Sequence, residues 1–396
     1  MTGIQDLPSE LLLQILELCG SDLLSLIKAY PTALNTFSRN RKAFVARLSA
    51  RFGDLALLSL ERAARLRYIR RQPDFQTLHY KEIEARIEAV FMLTKDTSFG
   101  RRNATLPNLD RYPLSALCIM QELGEDAKAI TDAYSQQALA EMASKPDAEL
   151  YIPRQSTELT QNERKRFMTS AFVFESYCLT FFHGQRLLFC RDEFSRESFL
   201  GGPLYPHDET GVGRFYCIMY YLVQKHRELL SSVTQHIELI HGRPSSDSGR
   251  PREDEYTLWA VEYDWEREVL NYLHFLTSQG LKMLTTLQKM SIDELTSFTK
   301  KTFLRVNSSD QPTVLINRLN GYGTLGTHEA RSWLPWPYLY NLFDNRWGLY
   351  HGEEDWKDTW GRAIPFWDPS EDEDPYGRRD VMGWSPLFWF VKRGNR

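Results

Sequence analysis

One glycine-rich stretch has the residue types and spacing that could bind a nucleotide. Gly321, Gly323 and Gly326 formally match the glycine pattern of a dinucleotide-binding turn. Such a turn needs a strand before it and a helix that opens on its third glycine, so that the helix amides face the pyrophosphate. Pro335 and Pro337 follow too soon for that helix. We therefore interpret the stretch as a simple turn and expect no cofactor.

Two histidines could act as metal ligands, because both lie on one apolar stripe of a helix predicted from about Gly213 to His241. His226 and His236 are ten residues apart, however, and lack the close spacing of a helical metal site. We expect both side chains to be partly exposed at the edge of the stripe, and we expect no metal.

The chain contains none of the short motifs that identify common enzymes. It has no Gly-x-Ser-x-Gly elbow, no phosphate-binding Gly-Lys-Ser or Gly-Lys-Thr loop, no His-Glu-x-x-His pair and no Cys-x-x-Cys pair. Pairs of carboxylate and histidine side chains could still meet in space without such a motif. The enzyme alternative is a hydrolase or transferase site within residues 160–396, which predicts a deep pocket with convergent titratable groups.

Composition and cysteine content predict a soluble chain in a reducing compartment. Hydrophobic residues make up 42% of the 396 residues, charged residues make up 25%, and the net charge is −4. No run of about 18 apolar residues could span a membrane, and the N-terminus does not resemble a signal peptide. The five cysteines are widely spaced and odd in number, which indicates free thiols. We expect a cytoplasmic or nuclear protein that is not secreted.

Residues 39–71 form a basic segment, in which ten arginine and lysine residues face only Asp54 and Glu61. This excess of positive charge could contact an acidic partner or the phosphates of a nucleic acid. We favour a solvated helix face whose arginine stems cover apolar surface, and we expect no nucleic-acid partner.

Several helix signals define the body of the chain. Thr160 and Glu163 have the spacing of a capping box, and the apolar residues after them recur at steps of four and three, which predicts a buried central helix. Ser291 and Glu294 have the spacing of another capping box. Helices are also predicted at 213–241 and 256–276.

The polar stretch 242–255 between these two helices predicts a flexible linker. This linker separates a helical body at 51–241 from a region at 256–396, which could pack on the body as one domain.

The last third of the chain is rich in tryptophan and proline. All ten tryptophans lie at or after Trp259, and the prolines break this region into irregular segments. Tryptophan dominates the energetics of many interfaces, so the region could bind a target protein. Alternatively, the aromatic side chains fasten an irregular tail onto the helical body. The candidate target-binding residues are Trp333, Trp336, Trp347, Trp356 and Trp360.

The first helix carries more apolar surface than a short terminal helix needs. Pro8 and Glu10 suit its first turn, and two neighbouring apolar stripes follow at steps of four and three. The first stripe is Leu11, Ile15 and Leu18, and the second is Leu12, Leu16 and Cys19. Because a surface helix needs only one stripe to face its core, we expect two different neighbours, one inside the chain and one outside it.

The order of these signals over residues 4–48 resembles an F-box. Leu7-Pro8-Ser9-Glu10-Leu11-Leu12 is followed by an Ile-Leu pair, by Asp22-Leu23-Leu24-Ser25-Leu26 and by a third helix from about Leu34 to Leu48. Many F-boxes carry a Val-Cys-Arg-x-Trp segment, and Ala29-Tyr30-Pro31-Thr32-Ala33-Leu34 stands in its place, as in the form common in fungal F-box proteins. The alternative is an ordinary three-helix cap on the main domain.

The helix signals and the resemblance together predict a mainly α fold, with a three-helix F-box at 1–50, a helical body and an irregular C-terminal region. The resemblance implies that the chain carries no catalytic residue itself. It also implies a substrate adaptor of an SCF-type (Skp–cullin–F-box) ubiquitin ligase, which binds the Skp adaptor, through it a cullin, and an unknown target protein. The adaptor contacts that it implies are Leu7, Pro8, Leu11, Leu12, Ile15, Leu16, Leu23, Leu24 and Leu26. Two alternatives remain open: a Skp-binding scaffold without ligase function, and an enzyme domain fused to an F-box.

Overall fold

Helices form nearly all of the structure, a computed structural model that describes residues 7–19, 22–52, 54–95, 112–144, 158–189, 209–241, 265–308, 361–363 and 366–367. Eleven α-helices and one short hairpin lie within these residues, and the mainly α prediction is confirmed. Within this part of the chain, no helix combines the length and the apolar character that a membrane span requires.

The helices vary widely in length along the chain. The first six are α1 (Ser9–Leu18), α2 (Leu23–Ala29), α3 (Thr32–Phe52), α4 (Asp54–Arg70), α5 (Tyr80–Lys95) and α6 (Leu114–Ser144). They are followed by α7 (Gln161–Phe181), the antiparallel strands β1 (Phe182–His183) and β2 (Arg186–Leu187), α8 (Glu209–His241), α9 (Trp265–Ser278), α10 (Leu281–Leu287) and α11 (Ile292–Asn307).

The chain divides into two compact units. The first unit contains α1 to α5, α6 as far as Ala133 and α7 as far as Thr180. The second unit contains the rest of α6 and α7, the hairpin, α8 to α11 and residues 361–367. The predicted linker at 242–255 lies outside the described residues, and the predicted domain limits stay a prediction.

Both predicted capping boxes are present. The Thr160 backbone N–H donates to Glu163 across 2.8 Å, and the Glu163 N–H donates to the Thr160 hydroxyl across 3.2 Å. Ser291 and Glu294 make the same reciprocal pair at the start of α11. These bonds satisfy amides that lack an intrahelical acceptor. The helix that begins after Thr160 is buried over most of its length, as its apolar spacing predicts.

The first unit carries a charged side chain at its centre. Arg67 of α4 is buried and donates to Glu175 of α7 across 2.5 Å and to Asp126 of α6 across 3.1 Å. Burial alone would lower the pKa of Arg67, but the attraction and the hydrogen bonds of Glu175, followed by those of Asp126, outweigh it and raise the pKa. One guanidinium group thus joins three helices of this unit.

Two further arginines of α4 are turned toward the interior. Desolvation lowers the pKa of Arg62 and of Arg70 to about 10, and their guanidinium groups lie 5.5 Å and 5.7 Å from the ring centres of Phe91 and Phe75. Arg70 also donates to the backbone carbonyl of Leu179. The prediction of a solvated helix face is therefore wrong for α4, because its arginines bind groups inside the unit.

The second unit is built on α8, which packs against α9, α10 and α11. Tyr272 lies in the core that these helices share, with its hydroxyl 2.6 Å from that of Thr302 and its ring edge-on to Phe303. The hairpin turns at Gly184, whose φ of 60° favours glycine. The Gly184 carbonyl accepts a hydrogen bond from Gln279 across 3.1 Å, which ties the hairpin to the end of α9.

His226 of α8 is buried, and the prediction of a partly exposed side chain is wrong for this residue. Its Nδ1 lies 3.0 Å from the Thr277 hydroxyl on α9, and desolvation lowers its pKa to about 3. His236 is partly exposed, as predicted, and its Nε2 lies 3.1 Å from Asp293. The two histidines thus differ in their surroundings, because His226 faces Thr277 of α9 and His236 faces Asp293 at the exposed start of α11.

A short segment of the C-terminal region is buried in the second unit. Phe366 is covered completely and packs edge-on against Tyr134 of α6, which in turn stacks on Tyr221 of α8. A side chain at Gly361 would collide with the carboxylate of Glu141. This contact agrees with the alternative in which aromatic side chains fasten the tail to the helical body.

Substitution of Arg67 should destabilise the first unit strongly. Arg67→Met leaves the buried carboxylate of Glu175 without its cation, and we expect a loss of roughly 3–5 kcal/mol. Urea unfolding followed by circular dichroism measures the loss, and the double variant Arg67→Met/Glu175→Leu should recover part of it. Arg164→Met is the control, because Arg164 pairs with Asp132 at the surface; this variant should stay within about 1 kcal/mol of the wild type. A similarly small loss in Arg67→Met would contradict the central role of the pair.

Acid should destabilise the second unit through His226. Its pKa in the folded state lies near 3, below the value of about 6.5 in an unfolded chain. The unfolded state therefore binds the proton first, and stability is lost as the pH falls from about 6.5 toward 3. Between pH 7 and pH 4 this group should account for about 3 kcal/mol.

His226→Gln tests this effect, because glutamine can keep the bond to Thr277 but takes up no proton. Its loss of unfolding free energy between pH 7 and pH 4 should be smaller than that of the wild type by about that amount. His79→Gln, at an exposed histidine of the first unit, should follow the wild-type curve. Equal pH dependence of His226→Gln and the wild type would refute the assignment.

Candidate functional site

The candidate site is the outer face of α1, at the start of the first unit. Pro8 precedes the helix, and its carbonyl accepts the first bond from the Leu12 N–H across 3.0 Å. Glu10 lies in the first turn, where negative charge favours the helix dipole. The helix ends at Leu18, and the Cys19 N–H closes it by a bond to the Ile15 carbonyl. Pro8 and Glu10 thus suit the start of α1, and backbone hydrogen bonds close its last turn.

The two apolar stripes of α1 have different surroundings. Leu12 and Leu16 are buried, because α1 packs against α2 and α3 on that side. On the other stripe, Leu11 is 46% exposed and Leu18 is 86% exposed, while Ile15 is partly exposed. One stripe has its neighbour inside the chain, as predicted, and the other remains accessible within the described structure.

The helices α2 and α3 hold α1 in place from the inside. Leu23 and Ile27 of α2 are buried, and α2 ends at Ala29, two residues before Pro31, which cannot continue a helix. On α3, the core residues are Phe37, Phe44 and Val45, which are all buried. The rings of Phe37 and Phe44 meet edge-on with centres 5.3 Å apart. We call α1, α2 and α3 together the three-helix unit.

The structure separates the nine predicted adaptor contacts into two sets. The residues in the interior of the three-helix unit are Leu12, Leu16 and Leu23. The residues with accessible side chains are Leu7, Pro8, Leu11, Ile15, Leu24 and Leu26. The buried set stabilises the unit, and only the accessible set can contact a partner without unfolding it.

Two exposed leucines of the three-helix unit are not among the nine predicted adaptor contacts. Leu18 completes the outer stripe of α1, three residues after Ile15, and Leu34 is exposed at the start of α3. The spacing of Leu18 already placed it on that stripe, so the sequence did contain the signal. Leu34 has no comparable signal, because its exposure depends on how α3 packs.

Most of the other residues that the sequence singled out are not among the described ones. Trp333, Trp336, Trp347, Trp356 and Trp360, as well as the glycine-rich turn at 321–326, lie outside the described residues. Trp367 of the same region is described, and its indole N–H donates to the Arg362 carbonyl across 2.8 Å. Within the described part of the chain, no group of three or more histidine, cysteine, aspartate or glutamate side chains could hold a metal ion.

Comparison of the chain with protein-family models, with curated proteins and with solved structures gave no match in any of the three. The interpretation of the three-helix unit therefore depends on its own residues, on their spacing and on which of them the structure leaves accessible.

The two stripes of α1 should respond differently to truncation. Leu16→Ala removes a fully buried side chain and should cost roughly 2–5 kcal/mol. Leu18→Ala removes an exposed one and should change the stability by no more than about 0.5 kcal/mol. Amide hydrogen exchange of α1 and α2 measures both effects locally. Equal protection of the α1 and α2 amides in Leu16→Ala and Leu18→Ala would contradict the assignment of Leu16 to the buried stripe and of Leu18 to the exposed stripe.

Proposed function

We propose that this chain is the substrate-recruiting subunit of an SCF-type ubiquitin ligase, and that it docks on the Skp adaptor through the three-helix unit. The supporting observation is the accessible stripe Leu11, Ile15 and Leu18 on a helix whose opposite stripe is buried. A helix that keeps one apolar face open, on a fold that is complete without it, suits helix-in-groove binding to a partner.

The accessible leucines would supply most of the docking energy. Full burial of a leucine side chain is worth roughly 1.5–3 kcal/mol, and association costs must be subtracted from the sum. Leu11 and Leu18 have the most area to lose on α1, and Leu24 and Leu26 extend the accessible set onto α2. The buried residues Leu12, Leu16 and Leu23 act indirectly, because they fix the orientation of α1.

The chain would carry out no chemical step itself and would act by holding the target protein close to the enzyme. An adaptor of this kind holds its target near the ubiquitin-loaded enzyme and so raises the effective concentration of the target. The target would bind to the regions after the three-helix unit, and the tryptophans between Trp333 and Trp360 remain the predicted contacts for it. No residue of this chain needs to touch the bond that forms.

Charged substitutions on the outer stripe should abolish adaptor binding. In Leu11→Asp/Leu18→Asp, docking would have to desolvate two carboxylates without partners, which is costly. Co-purification of the tagged full-length chain with the Skp adaptor should be lost, while the circular dichroism spectrum stays unchanged.

A matched control comes from the second unit. Leu239 and Ile240 are 85% and 59% exposed near the end of α8, so Leu239→Asp/Ile240→Asp makes the same chemical change elsewhere. This control should bind the adaptor like the wild type. Adaptor binding by a folded Leu11→Asp/Leu18→Asp variant would overturn the proposed docking face.

Addition of purified cullin separates the ligase subunit from the scaffold alternative. A ligase subunit should form a ternary complex of chain, adaptor and cullin that elutes as one species in size-exclusion chromatography. A chain that binds the adaptor but yields no ternary complex would be a scaffold without ligase function.

A further inference from the structure

The basic segment of the sequence splits into an internal half and an external half. The arginines of α4 bind groups inside the first unit, as described above for Arg62, Arg67 and Arg70. The preceding helix differs, because α3 carries five arginine and lysine residues and no acidic residue over its 21 positions. Its charge is therefore not balanced within the helix.

Two cations on the outer face of α3 make no hydrogen bond or ion pair with the described residues. Arg39 and Lys42 are exposed, and neither makes a hydrogen bond, a salt bridge or a ring contact with the described residues. Arg41 differs from them, because it donates to the Tyr112 carbonyl and lies over the ring of Phe37. Arg39 and Lys42 therefore lie on the solvent side of α3, whereas Arg41 lies on its inner side.

The residues around these cations form one exposed stripe of α3. Asn35, Arg39, Lys42 and Ala46 recur at steps of four, three and four, which places them on one stripe, and all four are exposed. Ala43 is exposed beside them. Small side chains next to two long cations allow another backbone to approach closely while carboxylates reach the charged ends.

We infer that this outer face of α3 is a docking surface for an acidic segment of a partner protein. The inference goes beyond the proposed function, because it requires neither a Skp adaptor nor a cullin. Two carboxylates spaced three or four residues apart on a partner helix would match Arg39 and Lys42. The contact would be weak, because both cations are exposed, and its strength would fall as the salt concentration rises.

The features of the three-helix unit favour a protein over a nucleic acid. A nucleic-acid site gains affinity by neutralising several phosphates, and this stripe offers two cations. The same unit exposes Leu11, Leu18 and Leu34, which a protein surface can cover and a phosphate backbone cannot.

A fluorescent helical peptide of alternating glutamate and alanine tests the inference on the purified full-length chain. Anisotropy at 50 mM salt should show saturable binding, and the affinity should fall as the salt is raised to 200 mM because exposed charges are screened. Arg39→Glu/Lys42→Glu should weaken binding by about tenfold, and Arg39→Gln/Lys42→Gln should weaken it less. Arg39 and Lys42 are both exposed, and circular dichroism checks that each variant keeps its helices.

Lys282→Glu/Lys289→Glu is the matched control, because it makes the same charge change at two exposed lysines of the second unit. It should bind the peptide like the wild type. Three results would overturn the inference: no peptide binding at 50 mM salt, an equal loss in the control, or tighter binding of a 20-base-pair DNA duplex than of the peptide.

Discussion

A buried arginine between carboxylates of two other helices is the constraint on which the first unit depends. Arg67 reaches Glu175 of α7 and Asp126 of α6 from the middle of α4. A buried ion pair of this kind is weak evidence for high stability, because both charges lose their water. Its geometric effect is larger, since a guanidinium group with fixed donors accepts few alternative arrangements of its partners.

This interior also explains how the three-helix unit can leave an apolar stripe open. α3 packs on α4 as well as on α1, so the rigid centre of the first unit supports the helices at its N-terminal end. α1 then needs only Leu12 and Leu16 for its own attachment. A face that is not required for folding is free to bind a partner, and its residues can change without destabilising the chain.

Periodicity and capping residues predicted most helices, because these signals are local. The capping boxes at Thr160 and Ser291 lie where the sequence places them. The burial of charged and titratable groups could not be predicted in the same way. Glu175 follows Arg67 by 108 residues, and Thr277 follows His226 by 51, so no local pattern relates the partners. In the candidate site, both stripes of α1 have the same spacing, and only the packing of α2 and α3 decides which one faces inward.

The aromatic contact between Tyr134 and Phe366 has a consequence for the order in which the protein assembles during synthesis. The two residues are more than 200 positions apart, whereas Glu175, the last helix partner of Arg67, is made much earlier. At a synthesis rate of about 5–20 residues per second, roughly ten seconds or more pass between the appearance of Tyr134 and that of Phe366. The first unit can therefore complete its charged centre on the ribosome while the aromatic stack of the second unit still lacks its final ring. During that interval the side of Tyr134 that Phe366 later covers stays open, and transiently exposed apolar surface favours aggregation.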